Sequence, residues 1–212
     1  MLTASGSPRP IQARAEITVT AVIEATVRAI DAGGEANVRI DDILRETKIS
    51  KGSLYHHFGG REGLIAAARV EQFSRFVESE AEEIHVAFMA AKSFTEYTNV
   101  VTTLLELGEC SEKQHERLRR LNTISSSYGR IELWKALAPQ QHRYTEKIAN
   151  AIHYGQSNGW VRSDLDPRAI AVFVQWHSLS RLLLELDTEP IELGHWQEVV
   201  RVAVATFFVP QK

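Results

Sequence analysis

The 212-residue sequence has one cysteine, Cys110, six prolines and twelve glycines. A single thiol excludes an internal disulfide and a multi-cysteine zinc site. No stretch approaches the roughly 20 consecutive apolar residues of a membrane-spanning helix, so no membrane partner is expected. Met1–Pro10 lacks the basic start and apolar run of a secretory signal, and a cytoplasmic protein is the expectation. No segment alternates apolar and polar residues long enough to predict a strand. There is no Gly-rich phosphate loop and no nucleophile elbow. His56 and His57 are adjacent and so point to different sides of a helix. The other histidines show no His-x3-His pair, and neither a metal site nor a cofactor is expected. What is present is ordinary for a folded chain: 44% hydrophobic and 24% charged residues exclude a disordered polymer.

The net charge is −3, unevenly spread. Residues 1–61 hold eight Lys/Arg against seven Asp/Glu, and the remainder sixteen against twenty. This small excess indicates a nucleic-acid partner only if the basic groups share a face.

From Ile11 onward the apolar spacing is helical, after a loose arm at 1–10. The pattern predicts about nine helices in an all-α fold. The first spans about 12–32 and ends at Gly33-Gly34. Short helices follow at 40–47 and 51–58, the second capped by Ser50 and broken by Gly59-Gly60. A long helix runs from Arg61 to about residue 90. Ser93-Phe-Thr-Glu96 reads as a capping box opening the next helix. Residues 111–138 read as helical but interrupted near 125–127, with Pro139 in the first turn of a new helix. Two apolar helices close the chain at 167–186 and 191–209. The division expected is an arm (1–10), a helix-turn-helix domain (11–60) and a C-terminal domain (61–212).

Two short helices joined by about three residues have helix-turn-helix spacing. In such a unit the second helix enters the major groove. Lys51, Ser53, Tyr55, His56 and His57 offer a cation, a hydroxyl, a phenol and two imidazoles within seven residues. Gly52 lets the backbone come close to DNA, while Leu54 and Phe58 anchor the helix to its own domain. Spacing alone fits an ordinary αα-hairpin with a polar outer face equally well.

The stretch Ser50-Lys-Gly-Ser-Leu-Tyr-His-His-Phe58, followed by Arg61-Glu-Gly-Leu64, resembles the TetR family of bacterial transcriptional repressors. It is similar to that family's signature S-x-G-T-L-Y-x-H-F-x-x-K-E-x-L, with Ser53 in place of Thr and Arg61 in place of Lys. Ile40-Asp-Asp-Ile43 and Ile49-Ser50 extend the match, which covers roughly 16–76. The resemblance implies that Lys51, Ser53, Tyr55, His56 and His57 touch DNA, Tyr55 and His57 at phosphates. Ser50, Gly52 and Arg61 join that set, Arg61 reaching a phosphate from the start of the long helix. Two positions depart from the pattern. Arg39 stands where the family often has a capping Thr or Ser, and is assigned to phosphate instead. Lys48 replaces the turn glycine.

The last two helices are apolar on more than one face, which calls for a second covering surface. A homodimeric four-helix interface meets that need, with Val172, Leu179, Leu183, Trp196, Val200, Ala203 and Phe207 as its candidate residues; a deep monomeric core is the alternative. The resemblance further implies an effector pocket among the middle helices. The middle helices hold Tyr97, Leu104, Leu105, Tyr128, Trp134, Tyr144 and Ile148; Tyr97, Tyr128, Trp134, Phe173 and Trp176 are the candidate walls, with Arg130, His142, Gln175 and His177 as candidate polar contacts. Together these readings predict a dimeric repressor released from a palindromic operator by an unidentified small molecule. The alternatives are an activator on the same scaffold, or a small helical enzyme or binding protein whose helix-turn-helix is only structural.

Overall fold

The computed structural model describes residues 10–108, 113–189 and 191–209. Most of the expected arm, and Cys110, lie outside these. The described elements are α1 (Pro10–Gly33), α2 (Ile40–Thr47), α3 (Lys51–Phe58), α4 (Arg61–Ala90), α5 (Phe94–Gly108), α6 (Gln114–Ser126), α7 (Ile131–Ser157), α8 (Pro167–Leu186) and α9 (Leu193–Ala205), with one 3₁₀ turn at Glu35–Asn37. Among the described residues the fold is all-α, apart from an isolated antiparallel bridge between Val161 and Phe208.

The chain divides into two compact units, residues 1–74 and 75–212. The division falls inside α4, for a physical reason. Leu64 in its first turn completes one core with Val22, Ala25, Ile43, Ile49 and Leu54. Ile65 and Ala68 complete another with Ile30 and Val38. The first turns of α4 are therefore the floor on which the small helices rest.

Local signals set most boundaries. The Ser50 hydroxyl accepts from the Ser53 N–H at 3.2 Å, and Asp166 caps α8 by accepting from the Ala169 N–H at 2.8 Å, each satisfying an orphan donor of a first turn. The Ser93 hydroxyl accepts from the Glu96 N–H, while the Glu96 carboxylate reaches back to the Lys92 N–H.

Two expectations are corrected. Pro139 lies inside α7, which begins eight residues earlier at Ile131. The helix runs through it because Leu133 and Leu137 before the proline and Tyr144 and Ile148 after it are all buried, and that packing outweighs one missing backbone hydrogen bond. The last helix ends at Ala205 rather than 209. There the chain turns so that Phe208 pairs with Val161 and the Arg162 N–H donates to the Phe207 carbonyl at 2.9 Å.

Candidate DNA-reading helix and ligand cavity

The candidate reading helix, α3, is held from beneath. Leu54 is fully buried, and Phe58 packs beside it on the same core. Four residues apart, they occupy one face of α3. The opposite face carries Lys51, Tyr55, His56 and His57, all exposed, with Ser53 half-buried. The Lys51 ammonium lies 5.9 Å from the Tyr55 ring centroid, and the two imidazoles meet edge-on at 5.4 Å. Gly52 is exposed, with no atom within 4 Å of the place a Cβ would take.

The turn before α3 is closed by Lys48, at φ 57° and ψ 21°. It is the one non-glycine with positive φ among the described residues, in the conformation a turn glycine would take without steric cost. Its N–H still closes α2 by donating to the Leu44 carbonyl at 2.9 Å. Arg39 sits at the N-cap of α2 without a side-chain capping bond and is exposed. Arg61 has a different setting. Its guanidinium donates to the carbonyls of Val38, at 3.0 Å, and Glu35, and to the Glu62 carboxylate. It therefore clamps the α1–α2 connection to the start of α4. The sequence held no signal for this, since both acceptors are main-chain atoms.

A cavity of about 390 Å³ lies in the second unit. Its apolar wall includes Phe76, Ile84 and Phe88 of α4, Val101 and Leu104 of α5, and Ile148 and Ile152 of α7. Tyr97 closes one end. Its hydroxyl donates to the Ala151 carbonyl at 3.1 Å, and its ring packs on Phe88 and Trp160. Gly155 makes room, since a Cβ there would lie 2.7 Å from the Tyr97 ring. Burial raises the phenol pKa of Tyr97 above its ordinary value.

The polar wall is built from α4, α6, α7 and α8. Tyr144 donates to Glu80 at 3.4 Å, and Lys113 pairs with the same carboxylate at 3.4 Å. Arg120 donates to the Gln175 amide oxygen at 3.1 Å; Gln141 donates to that oxygen as well, and the Gln175 amide nitrogen donates to Thr145. The Arg120 guanidinium lies 4.9 Å from the centroid of Tyr144 and 5.2 Å from that of Phe76. Burial lowers the Arg120 pKa, against the opposing pull of Tyr144 and Glu80. Burial likewise raises the Tyr144 pKa, with Arg120 opposing.

Of the nine residues predicted for a pocket, Tyr97, Gln175 and His177 line this cavity. The other six lie outside it. Tyr128 is 94% exposed, and Trp134, Phe173 and Trp176 are also exposed. Arg130 occupies the N-cap position of α7 without a side-chain capping bond, and exposed His142 meets Arg168. Tyr144, Leu104, Leu105 and Ile148 of the middle-helix set also line the cavity, whereas sequence reading missed Arg120. In α6 the apolar Leu118, Leu121 and Ile124 are exposed while Arg117, Arg120 and Thr123 are buried.

The model of bacterial regulatory proteins of the tetR family matches residues 22–68. The A-factor receptor protein of Streptomyces griseus is 39% identical over 186 residues, which is 86% of this chain and 60% of that protein. Through residues 22–68 the chain carries a segment of the tetR-family type. The chain as a whole spans 60% of the length of the A-factor receptor protein. The HTH-type transcriptional regulator BetI of Burkholderia thailandensis is 27% identical over 166 residues, covering 71% of this chain and 83% of BetI. In fold, the chain is similar to the TetR-family regulator of Cytophaga hutchinsonii, with TM-score 0.65, 17% identity and coverage of 93% and 98%. It is equally similar in fold to a protein from Saccharomonospora viridis solved in complex with choline, with TM-score 0.65, 18% identity and coverage of 92% and 100%.

The family match covers the candidate reading helix, and the cavity lies beyond it in the chain. The residues proposed for a dimer separate into two groups. Val172 and Leu183 of α8 are exposed. With Trp176 and Leu186 they form one apolar stripe at heptad-like spacing, and Val199 and Val202 of α9 are exposed too. By contrast Val200 is buried, Leu179 and Phe207 line the cavity, Ala203 is half-buried, and Trp196 stacks on His177 at 5.7 Å. Among the described residues no group of three or more His, Cys, Asp or Glu is placed to hold a metal ion.

Proposed function

We propose that this chain is a ligand-responsive transcriptional regulator of the tetR family, a homodimeric repressor released from a palindromic operator by a small molecule. The observation that carries the reading is α3. It has one fully buried anchor, Leu54, and an opposite face carrying Lys51, Tyr55, His56 and His57. A helix rooted on one side and cationic, phenolic and imidazole-bearing on the other suits phosphate and base-edge contacts in the major groove. Lys51, Ser53 and the imidazoles face the DNA. Tyr55 contacts a phosphate, and Gly52 lets the strand approach. Arg39 and Lys48 extend the cationic rim. Arg61 acts by fixing the α1–α2 connection.

The exposed stripe of α8 and the outer residues of α9 support a second copy as the covering surface, since apolar helix faces of this length are normally buried. A stable interface of this kind buries about 2,000 Å² or more. The effector occupies the cavity. Coupling runs along α4, which carries Leu64 and Ile65 of the DNA-reading unit and Phe76, Ile84 and Phe88 of the cavity wall. Ligand release of DNA requires that the ligand bind one conformation more tightly than the other. The A-factor receptor protein is by name a receptor, which supports an effector for this chain too.

Selection from random duplexes tests the reading. The expected product is a palindrome with half-sites at least one helical turn apart. Failure to enrich any sequence at moderate salt contradicts it.

A further inference from the structure

Resting on the ligand-responsive reading, we propose that the effector is an apolar molecule ending in an oxygen acceptor, a carboxylate or carbonyl, that seats on Arg120, and that the cavity rejects quaternary ammonium and other cations. Three observations carry this. First, Arg120 is 6% exposed yet has no carboxylate within 4.0 Å among the described residues. Its Nη2 shares the single Gln175 oxygen with Gln141, and its Nε has no hydrogen-bond partner. Glu80 acts on it only from beyond ion-pair distance and is itself engaged by Lys113 and Tyr144, so this buried guanidinium is incompletely compensated and gains from an oxygen acceptor. The other cavity cations differ: Lys113 pairs with Glu80 and Glu116, and Arg117 with Glu185.

Second, α6 is turned against its own pattern, with Leu118 and Leu121 outward and Arg117 and Arg120 inward. Packing alone favours the reverse, and breaks of a local rule concentrate at functional sites. Third, the aromatic faces a cationic ligand would use are taken. The Arg120 guanidinium itself lies over Phe76 and Tyr144, where a quaternary ammonium would otherwise gain cation–π attraction. A second cation there meets a like charge. Of the carboxylates lining the cavity, Glu80, Glu83 and Glu116, the first is engaged by Lys113 and the Tyr144 hydroxyl and the last by Lys113.

The test is calorimetric titration of the full chain and of Arg120→Met and Arg120→Lys with three ten-carbon probes: decanoate, decan-2-one and decyltrimethylammonium. The wild type binds decanoate or decan-2-one at least tenfold tighter than decyltrimethylammonium, and which oxygen probe leads tells carboxylate from carbonyl. Arg120→Met loses roughly 10- to 100-fold toward the better oxygen probe, the range of a hydrogen bond to a charged group, and Arg120→Lys recovers part of it. If Arg120→Met does not fold, the wild-type ranking and the lysine variant decide. Binding of decyltrimethylammonium as tightly as the oxygen probes overturns the proposal. So does an unchanged affinity in Arg120→Met, or no binding of any probe at millimolar concentration. A probe that binds through Arg120 but leaves DNA affinity unaltered upholds this inference and contradicts the regulatory reading instead.

Discussion

Gly63 sits in the first turn of α4, where the end of the reading helix crosses it. A Cβ at Gly63 would lie 1.8 Å from the Phe58 carbonyl oxygen and 3.0 Å from its carbonyl carbon. An ordinary contact needs a further opening of about 1.6 Å, and the obstacle is main chain, so no side-chain rotation relieves it. Gly63→Ala must therefore push the C-terminal turn of α3, with His57 and Phe58, off its seat. Overpacking of this kind costs roughly 1–3 kcal/mol, and the better helix propensity of alanine returns at most about 1 kcal/mol. A net loss of about 1–2 kcal/mol lowers the melting temperature by roughly 2–8 °C for a chain of this size. The effect on DNA is larger. Two misplaced hydrogen bonds at about 1 kcal/mol each weaken operator binding around 30-fold. Gly52→Ala is the control. Its Cβ meets nothing within 4 Å, so it stabilises the free protein by about 0.5–1 kcal/mol while obstructing the approach of DNA. Thermal denaturation and fluorescence anisotropy on both variants give the readouts. A Gly63→Ala protein that melts and binds like the wild type refutes the claim that this contact sets the position of α3.

Lys48→Gly removes the left-handed strain at the turn and is expected to raise stability by up to about 1 kcal/mol, measured by urea denaturation, at some cost in DNA affinity. Sedimentation of the wild type is expected to show a dimer at micromolar concentration, and Leu183→Glu, placed on the exposed α8 stripe, is expected to shift it towards monomer. Tyr97 and Tyr144 carry raised pKa values because they are buried. The folded state thus favours their neutral form, and the stability this contributes is full below about pH 10, the ordinary phenol value, and lost as pH rises through the folded values. Ultraviolet titration should find these two phenols ionising only with alkaline unfolding.

The reading unit was legible because its signals are local. Ser50 as a cap, Leu54 and Phe58 four apart, and Gly59 in the left-handed region each follow from neighbours in sequence. Lys48 was readable as a departure, and the structure gives that residue the left-handed backbone of the glycine it replaces. The cavity was not legible, because α6 and α8 carry bulky apolar residues on faces that sequence cannot rank. Trp134 and Trp176 looked like pocket walls and are exposed, whereas Arg120, which no sequence signal singled out, is buried. The interior Pro139 and the Val161–Phe208 bridge were hidden for a similar reason. Both depend on packing partners distant in the chain.

The most direct test of the central claim is anisotropy titration of the wild type and Tyr55→Ala against the selected duplex at several salt concentrations. Tyr55 is 47% exposed, so its truncation leaves the melting temperature nearly unchanged, and the account predicts markedly weaker DNA binding. Lys51→Ala in the same series lowers the slope of log affinity against log salt by about 0.9, the signature of one lost phosphate contact. Wild-type affinity in both variants would contradict the assignment of α3 as the DNA-reading helix.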